Sequence, residues 1–98
     1  MKLVRDLIPR IIEDDGKTCD YHIADGTEFI EELYKKMQEE LAEFIEEPSI
    51  EEAADMYEVF TAICWYHNIP LQDVAKKAIE KKMERGGFTE GIILDGVK

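Results

Sequence analysis

The stretch EFIEELYKKMQEELAEFIEE, residues 28–47, followed by PSIEEAADMYEVFTAICWYHN, residues 48–68, decides the fold of this chain. In the first part, apolar side chains recur at three- and four-residue steps between Phe29 and Ile45. That spacing is the period of an amphipathic α-helix. The sequence therefore predicts a first long helix over 28–47.

A sharp break separates this helix from the next. Pro48 ends it, because the residue before a proline is disfavoured in the α region. Ser49 and Glu52 have the spacing of a capping box, which starts a second helix that runs to about residue 68. Helices joined by so short a turn lie antiparallel and adjacent.

The segments outside this hairpin are shorter or less regular. The Asn-Ile-Pro at 68–70 ends the second helix, and a third helix is predicted over 71–85, with Gly86 at its C-terminal end. Residues 1–16 are expected to form a short helix or an extended arm. The apolar tail at 88–98 is expected to dock as an extended arm.

The second helix has too little charge for a surface helix. Residues 59–72 contain no Asp, Glu, Lys or Arg. A helix that is apolar nearly all round must be buried on more than one side, and a single 98-residue domain (residues 1–98) has little other mass to cover it. We therefore expect an all-α fold, an antiparallel hairpin plus a third long helix. We expect it to assemble into a four-helix-bundle-like homodimer or homotetramer.

The composition excludes several classes of function. With 12 basic and 23 acidic residues the net charge is -11, which argues against nucleic acid or an anionic membrane as a partner. Arg5 and Asp6 interrupt the first apolar residues, so no signal peptide is expected, and no run approaches a membrane span. These observations predict a cytoplasmic protein.

Four acids stand where solubility alone would not place them. On a helical wheel Glu40 falls inside the apolar stripe of the first helix and Glu43 on its border. Glu52 and Asp55 lie on or against the buried side of the second helix. In an antiparallel hairpin Glu43 faces Glu52, and Glu40 faces Asp55 one turn deeper. The alternative, that Glu52 is only a capping residue, explains one acid but not two matched pairs.

Four buried carboxylates need a partner. Without one they would be costly to bury or would be protonated. An all-oxygen site suits Mg²⁺, Mn²⁺ or Ca²⁺ over a soft metal. A di-iron bundle would need Glu-x-x-His, and neither His22 nor His67 has a Glu three residues before it. Cys19 and Cys64 stand alone, so no zinc spacing or disulfide framework is present.

Two basic clusters could meet the phosphate of a substrate. One is at the end of the third helix, with Lys82 and Arg85, and the other is Lys2 with Arg5. Cations in a last helical turn also complement the helix dipole. Their role in phosphate binding therefore depends on the neighbouring metal site.

Four segments in this order resemble a known family. EELAE at 39–43 and EEAAD at 51–55 resemble the paired acidic motifs of the MazG-like all-α nucleoside triphosphate pyrophosphohydrolases. KLVRDLIP at 2–9 and RGGF at 85–88 resemble a small house-cleaning branch of that superfamily. The eight residues between Glu43 and Glu52 are fewer than is usual in the family.

The resemblance implies an α-helical oligomer that uses Mg²⁺ to hydrolyse a nucleoside triphosphate to the monophosphate and pyrophosphate. It implies that the metal ligands are Glu40, Glu43, Glu52 and Asp55. Glu39 would hold a second ion or orient the attacking water, so Glu39 and Glu40 would be catalytic. The residues that would contact substrate phosphate are Lys82, Arg85, Lys2 and Arg5.

Two other functions remain open at this point. One is a pyrophosphohydrolase that acts on a phosphoribosylated nucleotide in biosynthesis, which would share the fold. The other is a non-catalytic helical dimerisation module that binds metal structurally or acts as an acidic interaction surface.

Overall fold

The structure, a computed structural model, describes residues 2–98 and is all-helical over that range. The four helices are α1 (Ile8–Asp14), α2 (Gly26–Glu46), α3 (Ile50–Tyr66) and α4 (Leu71–Arg85). The predicted all-α class and the two-helix hairpin are confirmed, and α4 is the third long helix. The N-terminal segment combines both expectations, because residues 2–7 form an arm without regular structure (the N-terminal arm) and α1 follows.

Local capping chemistry sets the ends of α3. The Ser49 side chain accepts a hydrogen bond from the Glu52 amide at 3.1 Å, as an N-cap residue does. At the other end Asn68 has φ 58°, and the Ile69 and Asn68 amides donate to the Cys64 and Trp65 carbonyls. These bonds form a Schellman motif, which asparagine tolerates in the left-handed region. α3 therefore ends two residues before the predicted boundary.

The core lies between α2 and α3, the one helix pair in residues 2–98 that packs extensively. Leu33 from α2 and Val59 and Cys64 from α3 are the buried apolar side chains of this range. The chain measures 63 × 31 × 23 Å and is elongated. A three-residue core is small for a chain of this length.

The C-terminal tail does not pack on its own chain. Phe88 is 98% exposed, and residues 92–94 of the apolar trio are also exposed. The expected docking of this segment is therefore wrong within a single chain. Its apolar composition was visible in the sequence, but the surface that would cover it was not.

Candidate metal centre

The α2–α3 hairpin brings three carboxylates together. Glu40 from α2 and Glu52 and Asp55 from α3 each offer one oxygen, and these oxygens all lie within 4.8 Å of one another. We call these three residues the carboxylate triad. Glu52 and Asp55 are one helical turn apart, which places both on the side of α3 that meets Glu40. The antiparallel register then sets the third ligand opposite them.

Two oxygens of the triad are buried without a hydrogen-bond partner. Glu40 is 5% exposed, and neither its Oε2 nor the Oε2 of Glu52 has a hydrogen-bond partner within the described residues. Buried polar atoms are rarely left this way, because each costs its full desolvation free energy. Acidic clusters on a surface are common, whereas two buried, unpartnered oxygens within one such cluster fit a cation. Three hard oxygen donors suit Mg²⁺, Mn²⁺ or Ca²⁺.

Burial and two neighbouring side chains perturb the proton affinity of Glu40. Burial raises the pKa of Glu40 above 4.5, and the nearby Glu43 carboxyl raises it further. The Lys36 ammonium acts in the opposite direction and lowers this pKa. Proton binding and metal binding at Glu40 therefore compete, since a carboxylate must lose its proton to ligate a metal.

A pH-dependent stability follows from the raised pKa of Glu40. Folded protein holds this proton more tightly than unfolded chain, so the resulting stability is present below about pH 4.5 and is lost as pH rises through the raised pKa. We expect the melting temperature of metal-free wild type, measured relative to Glu40→Gln, to fall as pH rises above about 4.5. Glu46→Gln, an exposed change on the same helix, should keep the wild-type dependence. If the melting temperatures of wild type and Glu40→Gln change in parallel with pH, the raised pKa of Glu40 is contradicted.

Two cations border the triad. The Arg5 guanidinium is 2.7 Å from Asp55 Oδ1, and the Lys36 ammonium is 3.4 Å from Glu40 Oε1 and 3.6 Å from Glu39 Oε1. Arg5 comes from the N-terminal arm, fifty positions before Asp55. Lys36 was not among the site residues predicted from the sequence. Its four-residue spacing from Glu40, which places both residues on one face of α2, is the pattern that could have identified it.

The other predicted site residues lie around this centre or away from it. Glu43 is exposed and close enough to Glu40 to raise its pKa, but it is outside the triad. Glu39 is at the edge, beside Lys36. Lys82 and Arg85 are exposed in the last turn of α4. These two residues and Lys2 do not line the cleft described next, and their phosphate-binding role stays a prediction.

A cleft of about 1510 Å³ opens beside the triad. The N-terminal arm and α1 form one wall, and α2 and α3 form the other. Two cations and five acids line its charged part: Arg5 and Lys36, with Asp6, Asp25, Glu40, Asp55 and Glu58. The remaining walls are mainly apolar and include Leu3, Leu7, Phe29, Leu33 and Trp65. The cleft exceeds the usual volume of a small-molecule pocket, roughly 300–1,000 Å³, and has room for a nucleotide beside the carboxylates.

Fold and site together define a class: a small all-α protein with three clustered carboxylates that could hold a metal ion, at the edge of a cleft. Within residues 2–98 no helix combines the length and apolarity needed to cross a bilayer. Comparison with protein-family models, with characterised proteins and with solved structures finds no match to this chain.

Proposed function

We propose that this protein is a Mg²⁺-dependent nucleotide pyrophosphohydrolase that converts a nucleoside triphosphate to the monophosphate and pyrophosphate. The observation that carries the proposal is the pair of buried, unpartnered oxygens on Glu40 and Glu52 beside a cleft that also holds two cations. A purely structural metal site would need the carboxylates but not Arg5, Lys36 or a large cleft. The reaction class itself comes from the resemblance of the acidic motifs.

In this proposal the ion is held by Glu40, Glu52 and Asp55. Glu43 is a candidate fourth ligand. A bound Mg²⁺ would polarise phosphoryl oxygens and neutralise their charge. Glu39 would hold a second ion or orient the water that attacks the α-phosphorus. The bond from that phosphorus to the bridging oxygen breaks, and pyrophosphate leaves.

The neighbouring cations give the phosphates a partner. Arg5 and Lys36 line the cleft next to the triad, and guanidinium or ammonium groups bind phosphate oxygens with charge-assisted hydrogen bonds. Lys2, Lys82 and Arg85 are further candidates that rest on the resemblance alone. The proposal includes a homodimer or homotetramer in the cytoplasm, with nucleotide and no nucleic-acid polymer or membrane as its partner.

Pyrophosphate release from a panel of normal and modified nucleoside triphosphates tests the proposal. We expect release with Mg²⁺ or Mn²⁺ and none with excess chelator, and the ranking of substrates would name the base and sugar. A phosphoribosyl-nucleotide belongs in the same panel, because turnover of that compound alone would favour the biosynthetic reaction. Metal-dependent heat stability with no turnover of any nucleotide would contradict the proposal and favour a structural site.

A further inference from the structure

The hairpin has a second apolar surface that nothing in the chain covers. On α2 it consists of Tyr34, Leu41 and Ile45, and on α3 of Ile50, Tyr57 and Phe60, all exposed. We call these six residues the back face. Ile50 is 85% exposed, Ile45 70% and Tyr57 64%. On each helix the side chains are separated by seven residues and then by three or four, which keeps them on one face of the helix.

The back face lies away from the carboxylate triad. On α3 its residues centre about half a turn round the helix axis from Asp55 and Glu52 at 100° per residue. Ala53 falls inside the same stripe and is exposed, and no charged residue interrupts it. One side of the hairpin thus carries the metal centre and the cleft, while the other is uncharged and apolar.

The exposed area of the chain is too large for a compact monomer. Its accessible surface is 8904 Å², whereas a compact monomer of 11.4 kDa is expected to expose about 5,800 Å². The radius of gyration is 18.0 Å, against about 13 Å for a compact chain of this length. The excess, about 3,100 Å², is ample for the share that one chain contributes to an obligate homodimer interface.

The chemistry of the back face selects a second copy of the chain as its partner. Because the back face has no charged side chain, it offers no ion pair to a strongly charged ligand. Two antiparallel hairpins stacked face to face make a four-helix core. A two-fold axis pairs a surface with itself, which suits a uniform apolar stripe. Three buried apolar residues are a marginal core for one chain, and the paired faces would add six more from each.

We propose that the back face packs against the back face of a second copy around a two-fold axis, leaving both carboxylate triads and both clefts on the outer sides. The inference rests on the homo-oligomer of the proposed function and adds which surface forms it. Each chain would then hold a complete triad, with no partner residue among its ligands. An interface on the cleft side would instead place the triads between the two chains.

Cysteine labelling of the 98-residue protein tests this arrangement. Ala53→Cys places a small thiol in the back face, and the matched control Glu58→Cys places one on the same helix beside the cleft. Both positions are exposed in a single chain, so protection can arise only from another chain. We expect maleimide to label Ala53→Cys at least tenfold more slowly than Glu58→Cys, with peptide mapping to separate these thiols from Cys19 and Cys64. Sedimentation should give a dimer or tetramer for both variants.

Each outcome bears on the proposal separately from catalysis. Equal labelling rates, slower labelling of Glu58→Cys, or a monomer at micromolar concentration would overturn it. Neither readout uses a nucleotide, so absence of turnover would leave this inference intact. Conversely, Mg²⁺-dependent turnover by a protein whose Ala53→Cys thiol reacts freely would support the proposed function and reject this interface.

Discussion

Asp55→Asn and Glu40→Gln are each expected to lower Mg²⁺-dependent pyrophosphate release at least about 100-fold, a loss in the range seen when one group that stabilises transition-state charge is removed. Each change keeps the shape of the side chain and removes one negative charge from the triad. Because charge positioned around the phosphoryl group supplies most of the catalysis in such reactions, the defect should appear in kcat. Rates at saturating nucleotide and saturating Mg²⁺ measure it.

The matched control is Glu51→Gln. Glu51 is the neighbour of Glu52 in the first turn of α3, but it is exposed and outside the triad. This variant removes the same charge from the same helix end and should keep nearly wild-type activity. Near-full activity of Asp55→Asn or Glu40→Gln under saturating metal would reject the triad as the catalytic centre.

The role of Glu43 can be decided in the same assay. The sequence placed it among four ligands, whereas the structure groups Glu40 with both Glu52 and Asp55 and leaves Glu43 exposed beside them. A Glu43→Gln loss as large as that of Asp55→Asn would make it a ligand in the loaded site. A loss of only a few-fold would make it a neighbour that tunes Glu40.

The hairpin was predictable because its signals are local. Apolar spacing, Pro48 and the Ser49 cap fix two helices within a few residues of the observed bounds, Gly26–Glu46 and Ile50–Tyr66. A short turn then sets the antiparallel register, and that register alone brings Glu40 to the carboxylates of α3. The hairpin fold and the approach of Glu40 to Glu52 and Asp55 therefore follow from residues within α2, α3 and the turn that joins them.

The rest depends on contacts that no local pattern encodes. The Arg5–Asp55 pair joins residues fifty positions apart through an irregular arm, so sequence reasoning found a basic residue but not its partner. The i to i+4 spacing of Lys36 and Glu40 was visible, yet such pairs are ordinary on helix surfaces. Only the burial of Glu40 shows that this pair lies at the site.

A buried carboxylate kept for function should weaken the protein that carries it. We expect Glu40→Leu to stabilise the metal-free protein by about 1–3 kcal/mol, because apolar packing of similar volume often outperforms a buried charge. Leucine would remove the unpartnered Oε2 and the repulsion with Glu43, while the Lys36 ammonium keeps Glu39 within 3.6 Å. Chemical unfolding at one fixed protein concentration measures the change, since the stability of an oligomer depends on concentration.

Measuring the same free energies of unfolding with Mg²⁺ tests whether Glu40 is a metal ligand. Mg²⁺ at a hundred times its dissociation constant would stabilise wild type by about 2.7 kcal/mol, and a variant without the site should gain almost nothing. Glu46→Leu, an exposed change on the same helix, should leave the gain from metal intact. If Glu40→Leu instead destabilises the metal-free protein, Glu40 is a structural residue. If it keeps the full gain from Mg²⁺, the ion binds elsewhere. If Glu40 is a metal ligand, we expect Glu40→Leu to be more stable than wild type without metal and to gain no stability from Mg²⁺. That combination indicates a residue that serves metal binding and lowers the stability of the metal-free fold.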